Sequence, residues 1–156
     1  ISTQPDALCA YSLGTLLLLN SADPRAASLP VFLFAPVLGF CREHAQNGKV
    51  PAAQVKLLLR RLKAAPLKAL GGFYQFAGID CPAPDQLPYA LDALEWGLEQ
   101  LITQSVATLP SRLNRQMIVG DADPLVNPIS EPDTRQTTLP AGHDLGALLG
   151  QFLAAR

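Results

Sequence analysis

Ala7-Leu8-Cys9-Ala10-Tyr11-Ser12-Leu13-Gly14-Thr15-Leu16-Leu17-Leu18-Leu19-Asn20 holds two apolar runs joined at one serine. Residues 7–11 have the length and composition of a strand. Residues 13–20 are apolar all round, which predicts a helix buried against a sheet. Outward from there, Ser21-Ala22-Asp23-Pro24 is turn chemistry. Residues 29–35 form a second continuous apolar run, the pattern of a strand covered on both faces. Strand, helix, strand predicts a parallel pairing and an α/β class.

The middle of the chain, from Phe40 to about Ser111, reads as helical. Val55, Leu58, Leu59 and Leu62 recur on one helical face, and Lys56, Arg60 and Lys63 share another. Leu87, Leu91, Leu94, Leu98 and Leu101 make a second stripe. Gly71-Gly72 and Cys81-Pro82-Ala83-Pro84 are expected to break this region into pieces. Strand-like runs then return at residues 115–119, leading into Gly120, and at 134–139, before an apolar helix over 145–154. The expected organisation is an α/β core of residues 1–39 and 112–156. A helical lid of residues 40–111 is inserted after one strand. The expected sheet is mostly parallel with helices on both faces.

Composition narrows the classes. Apolar residues are 49% and charged ones 16% of the 156, which excludes a disordered chain. A net charge of −1 gives no global pull toward nucleic acid. Cys9, Cys41 and Cys81 are odd in number and widely spaced, so neither a disulfide framework nor a zinc site is expected. That usage suits a reduced, cytoplasmic setting. No apolar run approaches the roughly 20 residues of a membrane span, and no signal peptide is recognisable at the N-terminus. The chain starts with Ile1 rather than Met, so it does not read as a complete primary translation product.

Three short segments carry chemistry. In Ala10-Tyr11-Ser12-Leu13-Gly14 a serine lies between a strand and a helix, with small residues two positions to either side. This is the logic of the nucleophile elbow, usually written GxSxG, in which a sharp turn exposes the hydroxyl. A serine there is also an ordinary helix N-cap. In Gly120-Asp121-Ala122-Asp123-Pro124-Leu125-Val126 a strand delivers acids into a loop. Asp123 is the preferred acid and Asp121 the reserve. In Ala141-Gly142-His143-Asp144, His143 follows a strand and precedes the last helix. Asp144 is too near in sequence to orient its ring. The chain order Ser, Asp, His matches neither of the two protease orders and is that of the α/β-hydrolases.

Over essentially its whole length the chain resembles the α/β-hydrolases from the nucleophile strand onward. It is most similar to the pimeloyl-carrier-protein methyl ester esterases of biotin synthesis. That closer resemblance rests on residues 10–14, on Ala93-Leu94-Glu95-Trp96-Gly97-Leu98-Glu99-Gln100-Leu101, and on residues 120–126. Ala10 stands where the family has glycine. The 20-residue step from Asp123 to His143 implies a trimmed helix between the last two strands. The resemblance implies a serine carboxylesterase with Ser12, His143 and Asp123 as triad and the Leu13 amide as one oxyanion donor. No metal or cofactor is implied. It also implies earlier strands, and a second oxyanion donor from an earlier loop, that this chain lacks. Either an N-terminal part precedes Ile1 in the natural protein, as the non-Met start favours, or this is a degenerate variant; an exposed sheet edge and poor activity are expected if nothing precedes Ile1.

From His44 to Ile79 there is no acid, while Lys49, Lys56, Arg60, Arg61, Lys63 and Lys68 all fall there. This is either a solvated face or a docking patch. In the resembled esterases basic lid residues receive an acidic acyl carrier protein. That implies partner contacts at Lys56, Arg60 and Arg61 and an acyl channel along Leu57, Leu70, Phe73 and Phe76. The alternatives are a small free ester, lactone or lipid as substrate, or a non-catalytic module of the same fold. Cys9 is expected to be buried, His44 at the surface, and Trp96 in packing.

Overall fold

The computed structural model describes residues 5–21, 23–82, 84–109, 115–129 and 135–155. Four parallel strands, β1 (Leu8–Tyr11), β2 (Val31–Phe34), β3 (Arg115–Gly120) and β4 (Arg135–Leu139), lie side by side in chain order. The pairings Leu8 with Val31, Leu33 with Met117 and Ile118 with Thr137 set the register. The α/β class with a parallel sheet is therefore observed. The position just before β4, Thr134, and the expected core boundary at 111–112 lie outside the described residues.

Alternation along β2 divides the interior. Val31 and Leu33 join a core with Leu16, Val55, Ala77, Leu101 and Met117. Phe34 and Ile118 face the other way, packing with Leu148 and Phe152. Successive strand residues point to opposite faces, so the sheet has a helical layer on each side. On the first side lie α1 (Leu13–Asn20), α3 (Ala52–Ala64), α4 (Pro66–Ala77) and α5 (Leu91–Thr103). The second side carries α6 (Leu145–Ala154), and a one-turn helix, α2 (Arg25–Ser28), leads into β2. No described helix is long and apolar enough to cross a membrane.

Several local expectations are corrected. Residues 40–51 are not helical apart from one tight turn, Arg42–His44. Gly71 and Gly72 lie inside α4, where a Cβ on Gly72 would meet nothing within 4 Å. The break falls instead before Pro66, which takes the first-turn position where its missing N–H costs no bond. The helix ends at Gly78, whose φ of 66° is left-handed. Leu87 precedes α5 rather than sharing its stripe. Cys9 is exposed because β1 is an edge strand of the described sheet. Trp96 is 50% exposed on α5 and is not packed in the core. His44 is half-buried, with Nε2 2.9 Å from the Ile102 carbonyl oxygen.

Candidate active site

Ser12 is the single residue between β1 and α1, and its φ of 49° and ψ of −120° lie outside the ordinary regions for a side-chain-bearing residue. Such a conformation costs on the order of 1–3 kcal/mol and persists only where its surroundings enforce it. Here they do. The Ser12 N–H extends the ladder to the Phe34 carbonyl at 3.0 Å, while its own carbonyl already accepts from the Thr15 N–H at 2.9 Å. Strand and helix thus claim adjacent bonds. Thr15, fully buried, locks the turn: its hydroxyl donates to the Ser12 carbonyl at 2.6 Å and accepts from the Val37 N–H at 2.8 Å. Gly14 is not required by a close approach, since a Cβ there would meet nothing within 4 Å.

Three strand spacings, about 14 Å, separate β1 from β4, yet Ser12 follows one and His143 the other. The connection after β4 closes that gap by running back over the end of β3. The Asp121 and Ala122 N–H groups donate to the Leu139 and Ala141 carbonyls at 3.0 and 3.1 Å. The crossing is so close that a Cβ on Gly120 would lie 2.1 Å from the Ala141 oxygen and 2.4 Å from that of Gly142. Only glycine permits it. Beyond the crossing, Tyr11 receives the loop: its hydroxyl donates to the His143 carbonyl at 2.5 Å, and its ring lies 5.4 Å from the imidazole. Burial first, then the charges of Asp144 and Asp123, pushes the Tyr11 phenol well up, so it stays a neutral donor.

The result is a continuous chain of hydrogen bonds. His143 Nε2 is 2.8 Å from Ser12 Oγ, and Nδ1 is 2.7 Å from Asp123 Oδ2. His143 and Asp123 are 1% and 3% exposed, while Ser12 is half-buried. A carboxylate only accepts, so Nδ1 carries the ring proton. Nε2 then presents a lone pair to the serine hydroxyl. The other carboxylate oxygen, Oδ1, accepts from the Leu125 and Val126 N–H groups at 2.8 and 3.1 Å. Asp123 is thereby fixed at both ends. Asp121 is exposed and takes no part, and Asp144 caps α6 by accepting from the Ala147 N–H at 2.7 Å. Leu13 is the first residue of α1, where amides have no partner within the helix.

The loop bearing Asp123 is held from outside by Asn47 and Lys49, which fall in the stretch expected to form the lid. Lys49 Nζ donates to the Asp123 carbonyl at 2.6 Å, and its N–H donates to the Leu125 carbonyl at 2.9 Å. Asn47 is buried and uses its whole amide: Oδ1 accepts from Leu38 N–H, and Nδ2 donates to the Pro36 and Asn127 carbonyls. Tyr11, Asn47 and Lys49 were not foreseen as site residues. Asn47-Gly48 carries a turn signal, but nothing in the sequence ties that turn to a loop nearly eighty residues later.

The residues expected to meet a partner or line an acyl channel lie elsewhere. Lys56, Arg60 and Arg61 are exposed on α3. A cavity of about 880 Å³ between α3 and α4 is lined by Arg61, Leu57, Phe73 and Phe76 but not by Lys56, Arg60 or Leu70, nor by any of Ser12, Asp123 and His143. Leu70 instead turns inward and is 9% exposed. Closer to the serine is α5, whose Gly97 would bring a Cβ within 3.2 Å of Leu13 Cδ2.

Comparison with protein-family models and with curated proteins returns no match to this chain.

Proposed function

We propose that this chain carries the reaction centre of an α/β-hydrolase and cleaves carboxylic esters through an acyl-enzyme. The observation that supports this best is the unbroken Ser12–His143–Asp123 chain, at 2.8 and 2.7 Å, assembled at the carboxyl ends of parallel strands. Ser12 Oγ attacks the ester carbonyl carbon as its proton passes to His143 Nε2. Asp123 holds the ring in the required tautomer and stabilises the imidazolium. The oxyanion is received by the Leu13 N–H at the helix start, a donor of a kind whose loss costs about 10²–10³ in rate. Collapse breaks the bond to the alcohol oxygen, which takes the proton from Nε2. Water then adds to the acyl carbon with His143 as base, releasing the acid and restoring the serine hydroxyl. No metal or cofactor is needed for any of these steps.

Within that reading, an acyl ester on an acidic carrier protein is the favoured substrate. It is supported by the acid-free stretch from His44 to Ile79 and by the exposure of Lys56, Arg60 and Arg61 on one helix. Such a partner, and a cytoplasmic setting, remain part of the proposal.

Intact mass before and after exposure to a fluorophosphonate tests the reaction centre. One adduct is expected on the wild type and none on Ser12→Ala. A wild type that stays unmodified, or a Ser12→Ala variant that still reacts, would overturn the assignment.

A further inference from the structure

We infer that the cleft between α3 and α4 is a binding site for a single-chain amphipathic anion, of which a fatty carboxylate is the simplest example. The site contains none of the triad, and the inference stands apart from the hydrolase reading.

The cleft is about 880 Å³, within the roughly 300–1,000 Å³ of small-molecule sites. Phe40 and Val50, both buried, form its floor. Leu58, Phe73 and Phe76 supply apolar walls. Two of the lining side chains stand unusually open to solvent, Leu57 at 37% and Phe76 at 43%. A lining of this kind favours an apolar chain, and each further methylene that fits tightens binding by about three- to fourfold.

The polar part of the lining has one sign. Arg61, from the last turn of α3, and Lys68, from the first turn of α4, both border the cleft. Gln54 is the other polar side chain there. Neither Arg61 nor Lys68 has an ion-pair partner among the described residues, whereas the nearby Lys63 is paired with Glu95 at 3.2 Å. With no acid from His44 to Ile79, nothing in these two helices opposes an anion. An apolar trough with two unpaired cations at its rim is complementary to a chain with a negative head. A carboxylate and a phosphate monoester share that chemistry, and Arg61 can bind either through two donors.

Titration calorimetry with dodecanoate, dodecyl phosphate and dodecyltrimethylammonium tests the site. One equivalent of at least one of the anions should bind saturably, and the ratio of the two anion affinities identifies the preferred head. The cation should bind at least about tenfold more weakly. Arg61→Glu with Lys68→Glu should weaken anion binding by a similar factor. Gly72→Leu should weaken it by narrowing the cleft. Gly72 borders the cleft with open space at its Cβ, and leucine is a better helix former, so that variant should fold. Ser12→Ala should bind like the wild type, whatever becomes of the esterase activity. No saturable anion binding, equal affinity for the cation, or binding unchanged in Gly72→Leu would each overturn the inference.

Discussion

Gly120 and Gly72 mark two regions built on opposite terms. At Gly120 the backbone of the next loop passes so close that a Cβ would collide with two carbonyl oxygens. Around it, the polar atoms of Asp123 and His143 are paired and both residues are almost wholly buried. At Gly72 a Cβ would meet nothing, and the neighbouring Phe76 and Leu57 are open to solvent. The first region depends on position to fractions of an ångström, because the proposed reaction needs Ser12, His143 and Asp123 to meet in one line. The second depends on composition and room. Substitutions should therefore act in opposite senses in the two places.

The largest effect is expected at the acid. In Asp123→Asn, the side-chain oxygen can still accept from the Leu125 and Val126 amides, so the loop should keep its shape. The amide nitrogen, however, would face His143 Nδ1 as a donor. The ring proton would move to Nε2, which could no longer accept the Ser12 proton. The rate of fluorophosphonate adduct formation should fall by about 10⁴ with the melting temperature nearly unchanged. A fall of less than about tenfold would mean that His143 does not depend on this carboxylate for its tautomer.

Gly120→Ala comes next. The new methyl must displace the backbone of residues 141 and 142, and a flexible side chain is not there to yield. A loss of about 3 kcal/mol is expected, the upper range for overpacking, which lowers the melting temperature of a chain this size by roughly 6–12 °C. His143 lies one residue beyond the displaced carbonyls, so labelling of Ser12 should slow by about 100-fold as well. A variant that melts like the wild type would show that the crossing over β3 is looser than these distances indicate.

Much of this arrangement was legible in the sequence, and the remainder fails for identifiable reasons. The strand at Leu8–Tyr11 and the helix at Leu13–Asn20 follow from local pattern, as does the placement of Ser12, Asp123 and His143 just after strands. Each depends on residues within a turn or so of itself. The buttress of Asn47 and Lys49 depends on contacts with residues 123–127, and no local pattern encodes a pairing at that separation. Tyr11 looked like one more apolar strand residue because its hydroxyl partner is 132 positions away. The exposure of Cys9 reflects the edge position of β1 rather than anything in its own neighbourhood. Gly71-Gly72 misled in the other direction. Paired glycines weaken a helix, but the stop and start here are set by Pro66 and Gly78, and tertiary packing of Ala69, Leu70 and Ala77 carries the helix through.

That last point gives the smallest and opposite-signed expectation. Gly72 sits in the interior of α4, exposed, with a helical neighbour on either side. Replacing it with alanine adds no clash and removes backbone freedom from the unfolded chain. Gly72→Ala should therefore stabilise the protein by about 0.5–1 kcal/mol, raising the melting temperature by roughly 1–4 °C. Labelling of Ser12 should be unaffected, since neither α4 nor the cleft supplies a bond to the triad. The same chemical change, one methyl on a glycine, would then lower stability and reactivity at position 120 and raise stability alone at position 72. If alanine at 72 instead destabilises, the helix does not run unbroken through Gly71 and Gly72, and the wall of the cleft is not the regular surface on which an acyl chain would lie.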